Sequence, residues 1–230
     1  MAGQYGNQAM EMQGEVGQET RAIEGNRRAI ALSRVGAQIT IDQILQWAID
    51  GRTYHAQQGD AATLLTFVEV AYDENQPQFA LRVPTGRTVI PLSLIVSFQD
   101  KGGLDEHVIW STTTNDIGNG ASTDLTISPM RTDAPHASGC VARSLYTGDA
   151  TAATGLIEVA RWIDPFVLEA GSTTAGRFEW NIRTAAAVPV LVGPATLQMH
   201  CFSVTPEGEG FGEYVWAEFP TPDLVAKTTA

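Results

Sequence analysis

The chain has 230 residues, 43% of them hydrophobic and only 17% charged, with a formal net charge of −12. That is enough apolar material for one large core, and the acidic balance argues against a body that binds nucleic acid, because phosphate backbones repel it. The two cysteines, Cys140 and Cys201, are too few for a disulfide scaffold; both fall in strand-like segments, which favours buried thiols over a bridge.

An average soluble chain carries roughly 25% charged residues. The polar surface here must therefore rest on Thr, Ser, Gln, Asn and Gly. Hydroxyls and amides cost less to desolvate than charges do, so such a surface suits extensive protein contacts. No basic segment followed by an apolar stretch opens the chain, and no apolar run approaches the roughly 18 residues of a membrane span. The expectation is a soluble protein made and kept in a reducing cytoplasm.

Residues 1–38 are rich in Gln, Glu, Gly, Met and Arg and offer no apolar face for a core of their own. They read as an extended or partly helical arm, acidic at Glu11, Glu15 and Glu19 and basic after. Cations gather from Arg21 through Arg27 and Arg28 to Arg34. Diluted by glutamate, they fit salt bridges to an acidic neighbour better than nucleic acid or lipid headgroups.

Residues 39–52 read as one short capped helix. Thr40 is placed to cap it and Gln43 to complete a capping box. Ile41, Ile44, Leu45 and Ala48 share a face, and Gly51 ends the helix in a left-handed turn. Trp47 lies off that stripe. It packs within the chain, lies under the arm, or faces a partner; it is carried as an interface candidate.

From residue 63 the apolar period changes to two. Strand-like runs follow at 64–72, 79–83, 88–98, 106–114, 123–128, 140–146, 156–163, 177–183, 188–192, 196–204 and 213–219. In the first of them Leu64, Val68, Val70 and Tyr72 share a side. Gly/Pro/Asn/Asp-rich turns separate the runs. Recurring strands without long helices predict an all-β, antiparallel jelly-roll or Greek-key sandwich of about eight to ten strands, here over 53–220 with a tail at 221–230.

The stretch "TVIPLSLIVSF" alternates most cleanly. Ile90, Leu92, Leu94, Val96 and Phe98 should line the core. Val89, Pro91, Ser93, Ile95 and Ser97 form an outer face with almost no charge, which makes Val89 and Ile95 candidates for contact with another subunit. Pro91 removes a ladder donor and points to an edge or a bulge. "TLQMHCFSV" does not keep one register; a bulge near His200 reconciles it, and so does a strand apolar on both faces.

Catalytic signatures are missing. The histidines His55, His107, His136 and His200 show no metal-ligand spacing, and the paired-histidine cluster of the cupins is not there. No G-x-S-x-G and no cysteine beside a base occurs. "NDIGNGASTD" lacks the spacing of a calcium loop and reads as a polar loop. "VPTGRT" and "GEGFG" read as turns. Glu158, Glu179 and Glu218 are expected to face solvent. The reading is a protein that is not an enzyme, with no cofactor, no metal and no small-molecule substrate.

A polar arm, then "TIDQILQWAIDGRTYHAQQG", then "RVPTGRTVIPLSLIVSF", and a closing "FGEYVWAEFP" together resemble the jelly-roll structural proteins of icosahedral viruses, most of all those of bacteriophages. The resemblance lies in the layout of residues 40–220 and not in a motif. It implies self-assembly into capsomers and a capsid shell, and localisation in the virion after synthesis in host cytoplasm. The implied partners are copies of the chain and other capsid proteins, with an internal membrane or packaged DNA reached through the arm. Two other readings stay open. One is a trimeric decoration or receptor/glycan-binding head with Phe211 exposed near a loop tip. The other is a β-sandwich hydrolase or lyase with a metal or carboxylate pair in a cleft.

Overall fold

The computed structural model describes residues 42–59, 63–67, 72–100, 106–133, 135–148, 151–164, 176–202 and 209–221. The chain divides into two compact units, Met1–Gln46 and Trp47–Ala230. In the first, the described residues open helix α1, Gln43–Ile49. Asp42 is its cap: one carboxylate oxygen accepts from the Ile44 N–H at 2.9 Å and the Leu45 N–H at 3.4 Å. The helix therefore starts later than the expected Thr40 cap. A carboxylate satisfies two orphan donors and also meets the positive end of the helix. Thr40 and Ile41 lie outside the described residues.

In the second unit the helix ends as the sequence predicts. Gly51 sits at φ +71°. Its N–H donates to the Ala48 carbonyl at 3.0 Å and the Arg52 N–H to the Trp47 carbonyl at 2.9 Å, the paired bonds of a Schellman end.

Thirteen strands follow among the described residues: β1 Thr53–Gln58, β2 Leu65–Thr66, β3 Phe79–Val83, β4 Arg87–Asp100, β5 Glu106–Thr113, β6 Ala121–Asp124, β7 Ile127–Pro129, β8 Val141–Gly148, β9 Ile157–Asp164, β10 Gly176–Asn181, β11 Leu191–Val192, β12 Ala195–Phe202 and β13 Glu209–Pro220. They form two antiparallel sheets packed as a sandwich. One runs β10-β4-β13-β1-β7, with β11 on β4 and β2 on β13; the other runs β6-β8-β3-β12-β5-β9. The pairing is nested: β1 with β13, β3 with β12, β4 with β10, and β5 with β9. The chain thus runs out and returns along itself, while β6, β7 and β8 widen the two sheets on one side.

The inner faces carry the core. Leu94, Val96 and Phe98 of β4, Phe178 and Trp180 of β10, Trp110 of β5, and Leu197 and Met199 of β12 are all buried. Phe79 stacks on Tyr214 with ring centroids 3.6 Å apart. The Tyr214 hydroxyl is satisfied inside the core: it donates to Gln58 Oε1 at 2.6 Å, and Gln58 Nε2 donates to the Gln78 carbonyl at 2.7 Å. Neither Cys140 nor Cys201 forms a disulfide, and both are buried.

The structure corrects several expectations. β4 is a central strand, and its register against β13 slips where Val215 faces Ser93 but Trp216 faces Pro91. Leu92 is the extra residue, so Pro91 lies at a bulge. A bulge reverses which residues point inward beyond it. Val89 is therefore wholly buried in the core, and Ile90, expected there, is only half-buried. Val89 is removed as an interface candidate.

β12 contains no bulge, because its registers with β3 and β5 run unbroken. Both faces are covered from within the chain. On the outer one Gln198 Nε2 donates to the Glu74 carbonyl at 3.2 Å, the Ile117 N–H donates to Thr196 Oγ1 at 3.3 Å, and the Tyr72 ring lies 4.8 Å from His200. The run 123–128 is not one strand. β6 joins β8 in one sheet and β7 joins β1 in the other, with Leu125 packed on the core between them. Among the described residues the runs 64–72 and 188–192 hold the short β2 and β11. Pro189 and Pro194 bracket the latter, and residues 68–71 lie outside the described residues.

Candidate functional site

Arg21, Arg27, Arg28 and Arg34 lie outside the described residues. Trp47 meets its own chain: its ring packs edge-on against Phe219, with centroids 5.2 Å apart. Phe211 stands in β13 opposite Ser97, half-buried, and not at a loop tip. Ile95 is also half-buried, on the outer face of the first sheet between Glu179 and Glu213 of the flanking strands. That face puts Ser93, Ser97 and Val215 in the same rows. Of the predicted contact residues that the structure describes, Ile95 and Phe211 remain together on an outer face that also carries Arg177, Glu179 and Glu213. Trp47 and Val89 do not join them.

In the loop "NDIGNGASTD" an arginine from β3 answers the side-chain oxygens of Asp116 and Asn119. Arg82 Nε and Nη2 donate to the two Asp116 oxygens at 2.5 and 2.7 Å, and Nη1 donates to the Asn119 side chain. The Gly118 N–H adds a bond to Asp116 at 2.9 Å. These donors hold the Asp116 carboxyl below its ordinary range, the Arg82 hydrogen bond being the largest cause. Among the described residues no group of three His, Cys, Asp or Glu is placed to share a metal.

Glu218 corrects another expectation. Expected to face solvent, it is 4% exposed and lies at the same alternation as buried Tyr214 and Trp216. At the end of β13 Ala217, Glu218 and Phe219 are buried in succession. Its carboxylate accepts from Ser138 Oγ at 2.6 Å and from the Gly139 N–H at 2.9 Å, and pairs with Arg87 Nε at 3.4 Å. Burial first, then this nearby charge, push the Cys140 thiol far above its usual value. Tyr54 is raised by the same two causes. A thiol held protonated is a poor nucleophile. The cluster fastens the 138–140 loop to β13.

A second arrangement lies on the outer face of the other sheet. A shallow groove of about 370 Å³ runs between Tyr72, Ile109, Leu156, Glu158, Arg161 and Phe202. Its apolar wall continues into a ring stack of His107 on Phe202, with centroids 4.9 Å apart. The two charged residues of its wall, Glu158 and Arg161, bond each other through Nη2 at 2.6 Å and Nε at 3.0 Å. Three residues apart, they would lie on opposite faces of a regular strand. They share a face because β9 is bulged: Trp110 of β5 faces Ala160 while Ser111 faces Glu158, leaving Val159 extra. The alternation of "LIEVARWI" hides this. The sequence signal that could have revealed it is an acid and a base at i, i+3 in a strand.

These surfaces can bury a partner at low desolvation cost, and among the described residues they bring no nucleophile and base together. Comparison with known families, characterised proteins and solved structures found no match for the chain.

Proposed function

We propose that this chain is a virion structural protein whose β-domain is a jelly roll that self-assembles, with the N-terminal arm, into an icosahedral capsid shell. The carrying observation is the nested pairing of β1 with β13, β3 with β12, β4 with β10 and β5 with β9, split over two sheets. Nested pairing of this kind supports a jelly roll, the double Greek-key sandwich of capsid and lectin domains. The sparse charge supports lateral packing of copies, because the outer faces lose little on desolvation. The net charge of −12 favours a shell that does not itself neutralise a packaged genome. Other capsid proteins would be the remaining partners, with packaged DNA or an internal membrane reached only through the arm.

Light scattering on the purified chain, followed by negative-stain microscopy, tests this. Regular high-order particles are expected. A chain that stays monomeric at high concentration overturns the proposal, and a closed trimer gives the decoration or receptor-binding head instead.

A further inference from the structure

β9 closes the second sheet. Among the described residues it pairs with β5 on one side and with no strand on the other. Open edges invite strand addition, and proteins blunt them with proline, lysine or short length. β9 has eight residues and neither proline nor lysine. It also exposes large apolar side chains: Leu156 just before it is 38% exposed, Ile157 62% and Ile163 53%.

The bulge at Val159 ordinarily spoils an edge. In a strand that pairs with its own copy across a two-fold axis it has the opposite effect. Backbone groups that point outward recur at every second residue of a regular strand. Two-fold self-pairing can therefore place only residues of equal parity opposite each other. The extra residue shifts parity by one half-way along β9 and allows the axis to pass between Val159 and Ala160. In that register Glu158 faces Arg161 of the second copy, and Arg161 faces its Glu158. Leu156 faces Ile163 of the second copy, and Ile157 faces its Trp162. Sliding by one residue either way sets Glu158 against Ala160 or Trp162 and leaves the acid without a basic partner on the second copy. Opposite charges and paired apolar groups are the units that stabilise such a ladder.

We propose that β9 is a two-fold seam through which two copies of this chain join their second sheets into one continuous sheet. The inference deepens the self-assembly reading, on which it rests, by naming the surface used. Two chains of charge −12 repel as whole bodies, and this strip offers a contact in which Glu158 and Arg161 of each copy meet an opposite charge. The contact is isologous, the same patch on both copies.

A charge-swap pair tests it. Glu158→Arg sets two arginines against two across the seam, and Arg161→Glu sets four carboxylates together. Both side chains are about half exposed, at 41% and 54%, so neither change disturbs the core, and circular-dichroism melts confirm folding. In sedimentation velocity each variant alone should dimerise at least roughly tenfold more weakly than the wild type. An equimolar mixture should recover association as a one-to-one heterodimer in native mass spectrometry. In that pairing the arginine introduced into one variant faces the glutamate introduced into the other, and the unchanged Arg161 and Glu158 face each other. Variants that dimerise like the wild type, or a mixture that recovers nothing, overturn the seam. If wild type and all variants form the same particles, the seam falls and the shell reading stands. A charge-sensitive dimer that builds nothing larger upholds the seam and removes the shell, and a strictly monomeric wild type removes both.

Discussion

The Ser138 hydroxyl donates to the buried carboxylate of Glu218 at 2.6 Å, across 80 residues of sequence. With the Gly139 N–H and Arg87 it makes Glu218 the fastening of the 138–140 loop onto the end of β13. Glu218→Ala would leave a hydroxyl, an N–H and a guanidinium without their acceptor. Uncompensated partners of a buried charge cost more than the pair contributed. The expected loss is about 3 kcal/mol for Ala and roughly half that for Gln, which keeps one acceptor oxygen. Urea denaturation of the two variants measures it. Equal losses would show that shape, and not the acceptor, is what matters there.

The bulge at Pro91–Leu92 makes a second prediction that separates two registers. Leu94 is 1% exposed and Val89 is not exposed at all, while Ile90 is half-buried. Leu94→Asp and Val89→Asp should both abolish cooperative folding, since each buries an unpaired charge among apolar side chains. Ile90→Asp should leave a folded chain that has lost about 1 kcal/mol. Thermal melts of the three variants rank them. An Ile90→Asp chain more damaged than Val89→Asp would restore the unbroken alternation.

These cases mark what alternation can and cannot reveal. Period two locates the strands and the sandwich, because a sheet face buried on one side writes its burial into every second residue. It predicts the inward set of β10 and the inner half of β4 residue by residue. It fails at Val89 and the Glu158–Arg161 pair for one shared reason. Each lies at or beyond a bulge, where a single inserted residue exchanges the faces, and composition barely marks the insertion; only Pro91 hints at one. β12 is ambiguous because loops 72–78 and 115–117 bury its second face, a tertiary contact no local pattern encodes. The helix end is legible through Gly51. Its start is misplaced because two side chains, Thr40 and Asp42, compete as caps and the sequence does not rank them by geometry.

His200 gives a pH prediction. It has no exposed surface, and burial lowers its pKa from 6.5 to about 4, with nearby Asp73 opposing the shift only in part. A depressed histidine binds its proton in the unfolded chain first. Stability should therefore be full above pH 6.5, fall as the pH drops toward 4, and stop falling on this account below it. The gap corresponds to about 3 kcal/mol. His200→Phe keeps a ring against Tyr72 and removes the titration, so its urea midpoints should depend less on pH through that window. Parallel curves for the two proteins would show that His200 titrates normally or is not responsible.

The last prediction concerns the arm. Residues 1–38 contain no apolar pattern able to form a core, and Trp47–Ala230 forms a compact unit whose buried cluster lies wholly within it. Deleting residues 1–38 should therefore leave a single cooperative melting transition close to that of the full chain. If the arm contributes its arginines to neighbouring subunits, the truncated protein should also form fewer or smaller particles than the full chain under the same conditions. The arm and the β9 edge would then be separable. Truncation should spare the dimer tested by the charge swap and remove only the larger assembly. Calorimetry and sedimentation on one preparation read both. Loss of the cooperative transition would place the arm inside the fold, and unchanged particles would remove it from assembly.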